Sequence, residues 1–150
     1  MAEGRSVEQR AADVREALAA GKDGWLATAD ASGHAHLIAA SCWWDGTNVV
    51  MTTVGTSRSA RNLVATRQGR LALGSTDDVV MVDVELAREV LVNEAPAEVA
   101  DGFAAGVGWD PREIGPEWVF LTLRPNRIQA YRGYDELAGR EVMHNGTWLA

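Results

Sequence analysis

The sequence has little cysteine and no long apolar run, and both absences limit what the protein can be. Its single cysteine, Cys42, excludes an intrachain disulfide bond and any zinc site built from several cysteines. No apolar stretch approaches the length of a membrane-spanning helix, and the first residues are charged and polar rather than signal-like. We therefore expect a cytoplasmic protein without a membrane partner.

Two common nucleotide-binding loops are missing as well. The chain contains neither a G-x-G-x-x-G sequence nor a Walker-type phosphate loop. Its length of 150 residues, with 47% apolar and 23% charged residues, is ordinary for a globular protein that buries a real core. We therefore expect a single domain over residues 1–150.

Acidic residues are absent from one stretch of an otherwise acidic chain. Residues 46–76 contain four arginines and no aspartate or glutamate, so this stretch carries +4, the whole chain −7 and the remainder −11. Within it, residues 52–63 place a glycine, hydroxyl side chains and two arginines before a helical pattern. Such a helix start offers N–H groups and guanidinium groups to a phosphate. The stretch predicts a small anionic ligand, because nucleic-acid binding would spread basic residues over a whole face.

Periodicity and capping residues predict three helices. Ser6 and Gln9 form the pattern of a capping box for an N-terminal helix within residues 1–21. A short amphipathic helix follows the arginine-containing loop, and a third helix begins at Pro96 and runs to about residue 106.

The remaining apolar segments predict a mainly β protein. Asp45-Gly46 is the strongest hairpin signal in the chain. Strands with turn signals between them, and helices that do not alternate with them, describe a small antiparallel barrel with helical additions. The predicted strands are 24–28, 35–44, 48–53, 71–75, 79–91, 118–123 and 127–131, and a polar tail follows over residues 132–150.

The order of several short motifs resembles the pyridoxamine 5′-phosphate oxidase-like family and covers roughly residues 20–145. The resemblance implies the FMN-binding split β-barrel, here with six or seven antiparallel strands, and the flavin or deazaflavin oxidoreductase group. The motifs are Trp25-Leu26-Ala27-Thr28, Gly33-His34-Ala35-His36, Trp43-Trp44-Asp45-Gly46, Thr53 with Ser57-Arg58-Ser59-Ala60-Arg61-Asn62-Leu63, Pro125-Asn126-Arg127-Ile128-Gln129-Ala130-Tyr131, and Gly139-Arg140.

The resemblance also implies where a cofactor would bind. Backbone groups of the second strand would lie along the flavin ring, and the loop after the third strand would hold the ribityl phosphate. An aromatic residue and an arginine of a second subunit would close the pocket, which implies a homodimer with the 132–150 tail near its interface. The implied cofactor-binding residues are Ala39, Ala40, Ser41, Thr52, Thr53, Ser57, Arg58, Ser59, Arg61, Tyr131 and Arg140.

Departures from the family pattern argue against a vitamin B6 oxidase. The true oxidases grip the substrate phosphate with an Arg-x-His pair, whereas this chain has Glu136-Leu137-Ala138 at those positions. A glutamate would repel a phosphate dianion. A lysine and an arginine of the second strand are also missing, since Leu37 and Cys42 occupy their sites.

The implied function is an FMN- or deazaflavin-dependent oxidoreductase that acts on an unidentified small molecule. The cofactor would carry the hydride chemistry, and no side chain is assigned as a catalytic acid or base. FMN is the first choice of cofactor, with deazaflavin coenzyme F-420 and haem as alternatives. The rival functions are a flavin or haem carrier without turnover and a cofactor-free structural dimer, which would require carboxylate partners for Arg58 and Arg61.

Three other features have simpler explanations. His34 and His36 have a spacing that zinc can use, but a third ligand is not apparent, so we interpret His34 as an exposed turn residue and His36 as support for the flavin strand. Cys42 is interpreted as a small buried apolar residue. Of Trp43 and Trp44, one should face the core and the other the surface or a partner.

Overall fold

Six antiparallel strands close into a barrel in the computed structural model, which describes residues 4–150. Two further strands extend the sheet beyond the barrel. The strands are β1 (Asp23–Ala29), β2 (Ala35–Trp44), β3 (Val49–Val54), β4 (Gln68–Ser75), β5 (Asp78–Leu91), β6 (Trp118–Tyr131), β7 (Glu141–His144) and β8 (Thr147–Trp148). The helices are α1 (Val7–Ala20), α2 (Arg58–Thr66) and α3 (Ala97–Val107), and two 3₁₀ turns cover Pro111–Glu113 and Tyr134–Glu136.

The barrel closes because β6 is long enough to pair on both sides. The strand order is β3-β2-β1-β4-β5-β6, and pairing of β3 with the first half of β6 completes the ring. The second half of β6 pairs instead with β7. This architecture confirms the predicted mainly β, antiparallel split barrel, and it places β7 and β8 outside the ring.

The barrel interior follows from strict alternation along the strands. On β5, Val80, Val82 and Val84 are buried, whereas the residues between them point outward. Two helices add to the same core: α1 through Ala11, Val14 and Leu18, and α2 through Leu63. Both helices are therefore fixed to the barrel by apolar contacts. Separately, no helix among residues 4–150 is long and apolar enough to cross a membrane.

A second apolar cluster lies outside the barrel, under α3. Phe103 of α3 meets Phe120 with ring centroids 5.3 Å apart, and Trp43 packs against the same cluster. Gly102 and Gly106 of α3 allow this approach, because a Cβ atom on either would collide with the Trp43 indole. Trp44 packs against the main core, as predicted for one of the pair. Trp43 lies outside the barrel, as predicted for the other, but α3 packs over it and leaves it half-buried.

The end of the chain differs most from the sequence prediction. The tail folds into the β7–β8 hairpin, whose turn contains Asn145 at φ 49° and Gly146 at φ 77°. Asn-Gly with two positive φ values is the type I′ hairpin turn, so the signal was present in the sequence. The two predicted last strands are one continuous β6. Pro125 lies there opposite Val84, beside a register shift in the ladder, where a missing N–H is tolerated.

The predicted cap of α1 is half correct. The Ser6 Oγ accepts a hydrogen bond from the Gln9 N–H at 3.1 Å, which confirms Ser6 as the N-cap. The Gln9 side chain does not return to Ser6 but donates to Asp13 at 2.8 Å. The reciprocal bond of a capping box is therefore replaced by a contact along the helix.

Candidate functional site

A wide cleft of about 750 Å³ opens beside α2. The chain enters the helix through Ser57, whose Oγ accepts a hydrogen bond from the Ala60 N–H at 3.2 Å. The Thr53 hydroxyl donates to the same Oγ at 3.2 Å, which ties the end of β3 to the helix start. The lining residues are Asp30, His34, Ala35, Arg58, Arg61, Asn62 and Ala65.

The start of α2 is electropositive. Its first turn contains no acidic residue, and Arg58 and Arg61 are exposed. Neither guanidinium forms a hydrogen bond or an ion pair with any residue in the range 4–150. The partial positive charge of a helix N-terminus adds to these two charges. The arrangement offers an oxyanion two guanidinium groups and the outward-facing N–H groups of the helix start.

One carboxylate lies in the same cleft but is already engaged. Asp30 accepts hydrogen bonds from the N–H groups of Ser32 and His34 and lies 3.0 Å from the His34 ring nitrogen. The His34 N–H, the His34 ring and the Ser32 N–H hold the pKa of the Asp30 carboxyl below its usual value. Asp30 therefore stabilises its own turn, and its charge only partly offsets that of the arginines.

Two of the predicted phosphate contacts are buried. The Thr52 hydroxyl donates to the Val119 carbonyl at 2.8 Å, so it is used within the barrel. Ser59 is fully buried, and its Oγ has no hydrogen-bond partner among the described residues. Asn62, which the sequence analysis left out of the site, lines the cleft and donates to the Thr28 hydroxyl at 3.1 Å. Its place within the Arg-Asn-Leu motif was the available signal.

The second strand has an open edge that begins at this cleft. β1 pairs with β2 along residues 35–41, but β3 pairs with β2 only at Cys42, Trp43 and Trp44. The Cys42 N–H donates toward β1, to the Lys22 carbonyl at 3.0 Å. Hydrogen-bonding directions alternate along a strand, so the backbone groups of odd-numbered residues point to the open side.

This alternation separates the three predicted ring contacts. Ala39 and Ser41 present their N–H and C=O groups at the open edge, whereas those of Ala40 point toward β1. The Ala40 side chain packs against the core. The Ser41 Oγ accepts a hydrogen bond from the Trp109 indole at 3.0 Å. Trp109 is therefore an aromatic neighbour of this edge that the sequence analysis did not single out, because it follows α3 far along the chain.

A second depression, of about 370 Å³, contains the other two predicted residues. Tyr131 and Arg140 lie there together, although β7 and the loop before it had been predicted as a tail. The depression shares no lining residue with the cleft beside α2. Within one chain, the predicted site is thus split into two separate surfaces. The lining residues are Arg70, Met81, Arg127, Gln129, Tyr131, Leu137 and Arg140.

Glu136 has a structural role in the loop that leads to Arg140. Its carboxylate lies 2.7 Å from an Arg5 Nη atom and accepts a hydrogen bond from the Arg132 N–H at 2.8 Å. These contacts, of which the Arg5 side chain is the strongest, lower the pKa of Glu136 to about 2. Buried Arg10 donates to the carbonyls of Glu136 and Gly139 at 3.1 and 2.8 Å. The Glu136 carboxylate is therefore paired with groups of its own chain.

The histidines and the cysteine do not form a reactive cluster. His34 is exposed and lies beside Asp30, as predicted for a turn residue, and His144 lies 2.7 Å from Glu141. No group of three or more potential metal ligands occurs in the described part of the chain. Cys42 is buried in the core, which confirms the predicted small buried residue, and this burial raises the pKa of its thiol to about 12.

Comparison with solved structures identifies the fold. An F420 reductase matches with a TM-score of 0.64 and 18% identity over 76% of this chain and 94% of that protein. An FMN-binding protein from Syntrophomonas wolfei matches with a TM-score of 0.67 and 17% identity over 85% and 92%. A haem-binding protein from Mycobacterium smegmatis matches with a TM-score of 0.68 and 19% identity, over 95% of this chain but 59% of that protein.

These identities are low enough that the likeness concerns the fold alone. No protein-family model matches the sequence, and no curated protein matches it significantly. The chain has the split-barrel fold of pyridoxamine 5′-phosphate oxidase-like proteins, as its motifs predicted. Of these three structures, one is named for FMN binding, one for haem binding and one as an F420 reductase.

Proposed function

We propose that the protein is a homodimeric oxidoreductase that binds FMN or a deazaflavin at its subunit interface. The observation that carries the proposal is the pair of exposed arginines, Arg58 and Arg61, without partners among residues 4–150 at an acid-free helix start. Two exposed guanidinium groups side by side at one helix start of an acidic chain suit a phosphate ligand. The cofactor-free dimer would have to supply carboxylate partners for both arginines from its second chain.

The polar groups around the helix start have distinct roles in this proposal. Arg58 and Arg61 pair with the phosphate. The N–H groups of Arg58 and Ser59 donate to it, since those of the next two residues already bond to Ser57. The Thr53 hydroxyl orients the helix start by donating to Ser57 Oγ at 3.2 Å, and the Ser57 hydroxyl keeps its own hydrogen for the phosphate. Asn62 connects the cleft to β1 through its hydrogen bond to the Thr28 hydroxyl.

The open edge of β2 supports a flat cofactor that continues from the phosphate. The strand begins in the cleft at Ala35 and presents backbone groups of Ala39 and Ser41 further along. Backbone N–H and C=O groups suit the hydrogen-bonding rim of a flavin ring. The cofactor supplies hydride transfer, and the protein holds it, orients it and excludes water from it. We assign no catalytic acid or base.

The separation of the two depressions supports a dimer. Tyr131 and Arg140 lie apart from the α2 cleft in one chain, so they reach a cofactor there only from a second chain. The outward faces of β1 and β2 also expose large apolar side chains, with Trp25 53% and Leu37 61% accessible. A two-fold interface that covers these side chains would bring each cleft to the other subunit.

Deazaflavin and haem are the alternatives to FMN as the cofactor. Deazaflavin shares the phosphate requirement, and the F420 reductase of the same fold favours testing it beside FMN. A haem carrier is favoured only by the haem-binding protein of the same fold. His34 is paired with Asp30 in its own turn and His144 with Glu141 on β7, which leaves His36 as the remaining histidine ligand.

The test is the absorbance spectrum of the purified protein, followed by titration with FMN and with deazaflavin. Flavin absorbance or micromolar binding supports the proposal, and a Soret band instead identifies haem. Replacing both Arg58 and Arg61 by alanine should weaken binding by about 1.5–3 kcal/mol per charged hydrogen bond lost.

A matched control is the double variant Arg88→Ala with Arg124→Ala. Both of these arginines are exposed and neither lines the cleft, so this variant changes the net charge equally and should bind like the wild type. Unchanged affinity for both cofactors in the Arg58 and Arg61 double variant would remove the phosphate-site assignment.

A further inference from the structure

Three arginines converge in the depression that contains Tyr131. Arg70 of β4 and Arg127 of β6 flank Asp83 of β5 in the strand ladder, and Arg140 approaches from the loop before β7. Nothing in the sequence motifs assigned Arg70 and Arg127 to a pocket together. Only the pairing of three strands brings their outward-facing side chains to the same place.

The local charges do not cancel. Arg70 Nε lies 2.8 Å from Asp83, and Arg127 Nε lies 3.1 Å from Glu141. Arg140 has no carboxylate partner within residues 4–150, and its Nη1 donates to the Leu137 carbonyl at 3.1 Å. One positive charge therefore remains after the two ion pairs, and it matches a monoanion better than a dianion.

Several donors in the depression are unused. Arg127 donates to Glu141 through its Nε alone, so both of its terminal nitrogens are available to a ligand. Arg70 Nη2 donates to Gln129 Oε1 at 3.0 Å, which fixes the amide so that its NH₂ group faces away from Arg70. Tyr131 adds a phenolic hydroxyl. The planar guanidinium group of an arginine such as Arg127 can bind a carboxylate through two parallel hydrogen bonds.

Most of the remaining lining is polar as well, and only Met81 and Leu137, both half-buried, add an apolar contact beside the guanidinium groups. A polar site with one surplus positive charge and planar donors favours a small monoanion over a neutral ligand. We propose that this depression is the substrate-binding subsite and that it takes a small carboxylic acid.

This inference rests on the proposed function, because only the proposed dimer brings the depression next to a cofactor. In the proposed dimer, Tyr131 and Arg140 face the cofactor of the second subunit, so a carboxylate held by Arg127 would place the body of the ligand toward that ring. Arg127 is a positioning residue in this scheme. It does not take part in holding the cofactor phosphate.

The experiment measures binding of benzoate to the full-length protein by calorimetry, with and without FMN. Benzyl alcohol is the neutral probe of similar shape, and inorganic phosphate is the dianionic probe. We expect benzoate to bind at least ten-fold more tightly than either. Equal binding of benzyl alcohol would overturn the anionic requirement, and tighter binding of phosphate would overturn the carboxylate assignment.

Arg127→Gln is the test variant and Arg124→Gln its control. Both arginines are on β6, but Arg124 pairs with Glu85 at 3.4 Å and does not line the depression. We expect Arg127→Gln to weaken benzoate binding at least ten-fold and to leave FMN affinity unchanged, and Arg124→Gln to change neither. Should Arg127→Gln fail to fold, Arg127→Lys keeps the charge without the planar fork and should weaken benzoate binding several-fold.

The outcomes separate the two proposals. Loss of FMN affinity without loss of benzoate affinity in Arg127→Gln would show that the arginine serves the cofactor, which overturns the subsite. Arginine-dependent benzoate binding by a protein that binds no flavin would support the subsite and reject the proposed function. Benzoate binding that is equal in wild type and Arg127→Gln would overturn the subsite whatever the cofactor result.

Discussion

The arginines of this chain differ in what they contact, and the difference separates structural residues from candidate ligands. Arg5 and Arg10 are held by Glu136 and by backbone carbonyls, and they fix α1 to the loop before β7. Arg58 and Arg61 have no such contacts among residues 4–150. Arg88 shares this property but lies exposed on β5 and lines no depression described above. Unpaired charge indicates a site only where a concave surface accompanies it.

Ser57 provides a test of the helix start itself. Ser57→Ala removes the N-cap of α2 and the acceptor for Thr53, so it should lower the free energy of unfolding by about 1 kcal/mol. Ser6→Ala removes the N-cap of α1 and should cost a similar amount in urea denaturation. Only Ser57→Ala should also weaken FMN binding. Equal FMN affinity in the two variants would contradict a role for the α2 start.

Glu136 predicts a stability change at low pH. Its pKa is lowered to about 2, whereas its ordinary value is 4.5, because Arg5 and the N–H groups of Arg5 and Arg132 bond to the carboxylate. The stabilising contribution is complete above the unfolded pKa and is lost as pH falls from about 4.5 toward 2. The shift corresponds to on the order of 3 kcal/mol for this buried group.

The measurement is urea denaturation between pH 7 and pH 2.5. Glu136→Gln should be less stable than wild type at pH 7 and should approach wild-type stability as the pH decreases. Glu94→Gln, at an exposed glutamate, should keep the wild-type pH dependence. Parallel curves for Glu136→Gln and wild type would show that the ion pairs with Arg5 contribute little.

At the scale of elements, the sequence predicted those parts of the fold that local signals define. The bounds of β2 follow from the turn at Gly33 and the hairpin signal at Asp45-Gly46, and the structure reproduces them as Ala35–Trp44. The sequence predicts two strands where the structure has the single strand β6, because Pro125 is typical of an interruption. Whether a proline interrupts a strand depends on the partner strand, and the register shift beside Val84 is a tertiary feature that no local pattern contains.

The contact between α3 and β2 gives a prediction whose sign is unusual. Gly106→Ala in a helix interior normally stabilises by roughly 0.5–1 kcal/mol. Here the added Cβ would collide with the Trp43 indole, so we expect destabilisation of about 1–3 kcal/mol in urea or thermal unfolding. Ala105→Gly, at the exposed neighbouring position, should show only the ordinary loss of helix propensity. A more stable Gly106→Ala variant would show that α3 does not pack as described.

At the scale of the whole molecule, the sequence carried more information about the cofactor cleft than about the rest of the site. Ser57, Arg58 and Arg61 lie close together in the chain, so their clustering is visible without a structure. Arg70 and Arg127 are far apart in sequence and meet only through the β4-β5-β6 ladder. Their common depression was therefore beyond reach of any local pattern.

The dimer is the premise on which the complete pocket depends. Leu37 lies on the outward face of β2 and is 61% accessible. Trp25 of β1 lies opposite Ala39 on the same face of the sheet, and Trp25 is 53% accessible. Because part of each side chain is already covered, leaving the rest in water would cost roughly 1 kcal/mol each relative to full burial. A two-fold interface across β1 and β2 removes this cost twice, once for each subunit.

Leu37→Glu tests the interface directly, because two added carboxylates would face one another across a two-fold axis. We expect wild-type protein to sediment as a dimer at micromolar concentration, and the variant to sediment as a monomer with lost or strongly weakened flavin binding. Ile114→Glu is the matched control, since Ile114 is equally accessible at 61% but lies beyond α3. A wild-type monomer that still binds flavin tightly would mean that one chain forms the whole site, and Tyr131 and Arg140 would then have no role in it.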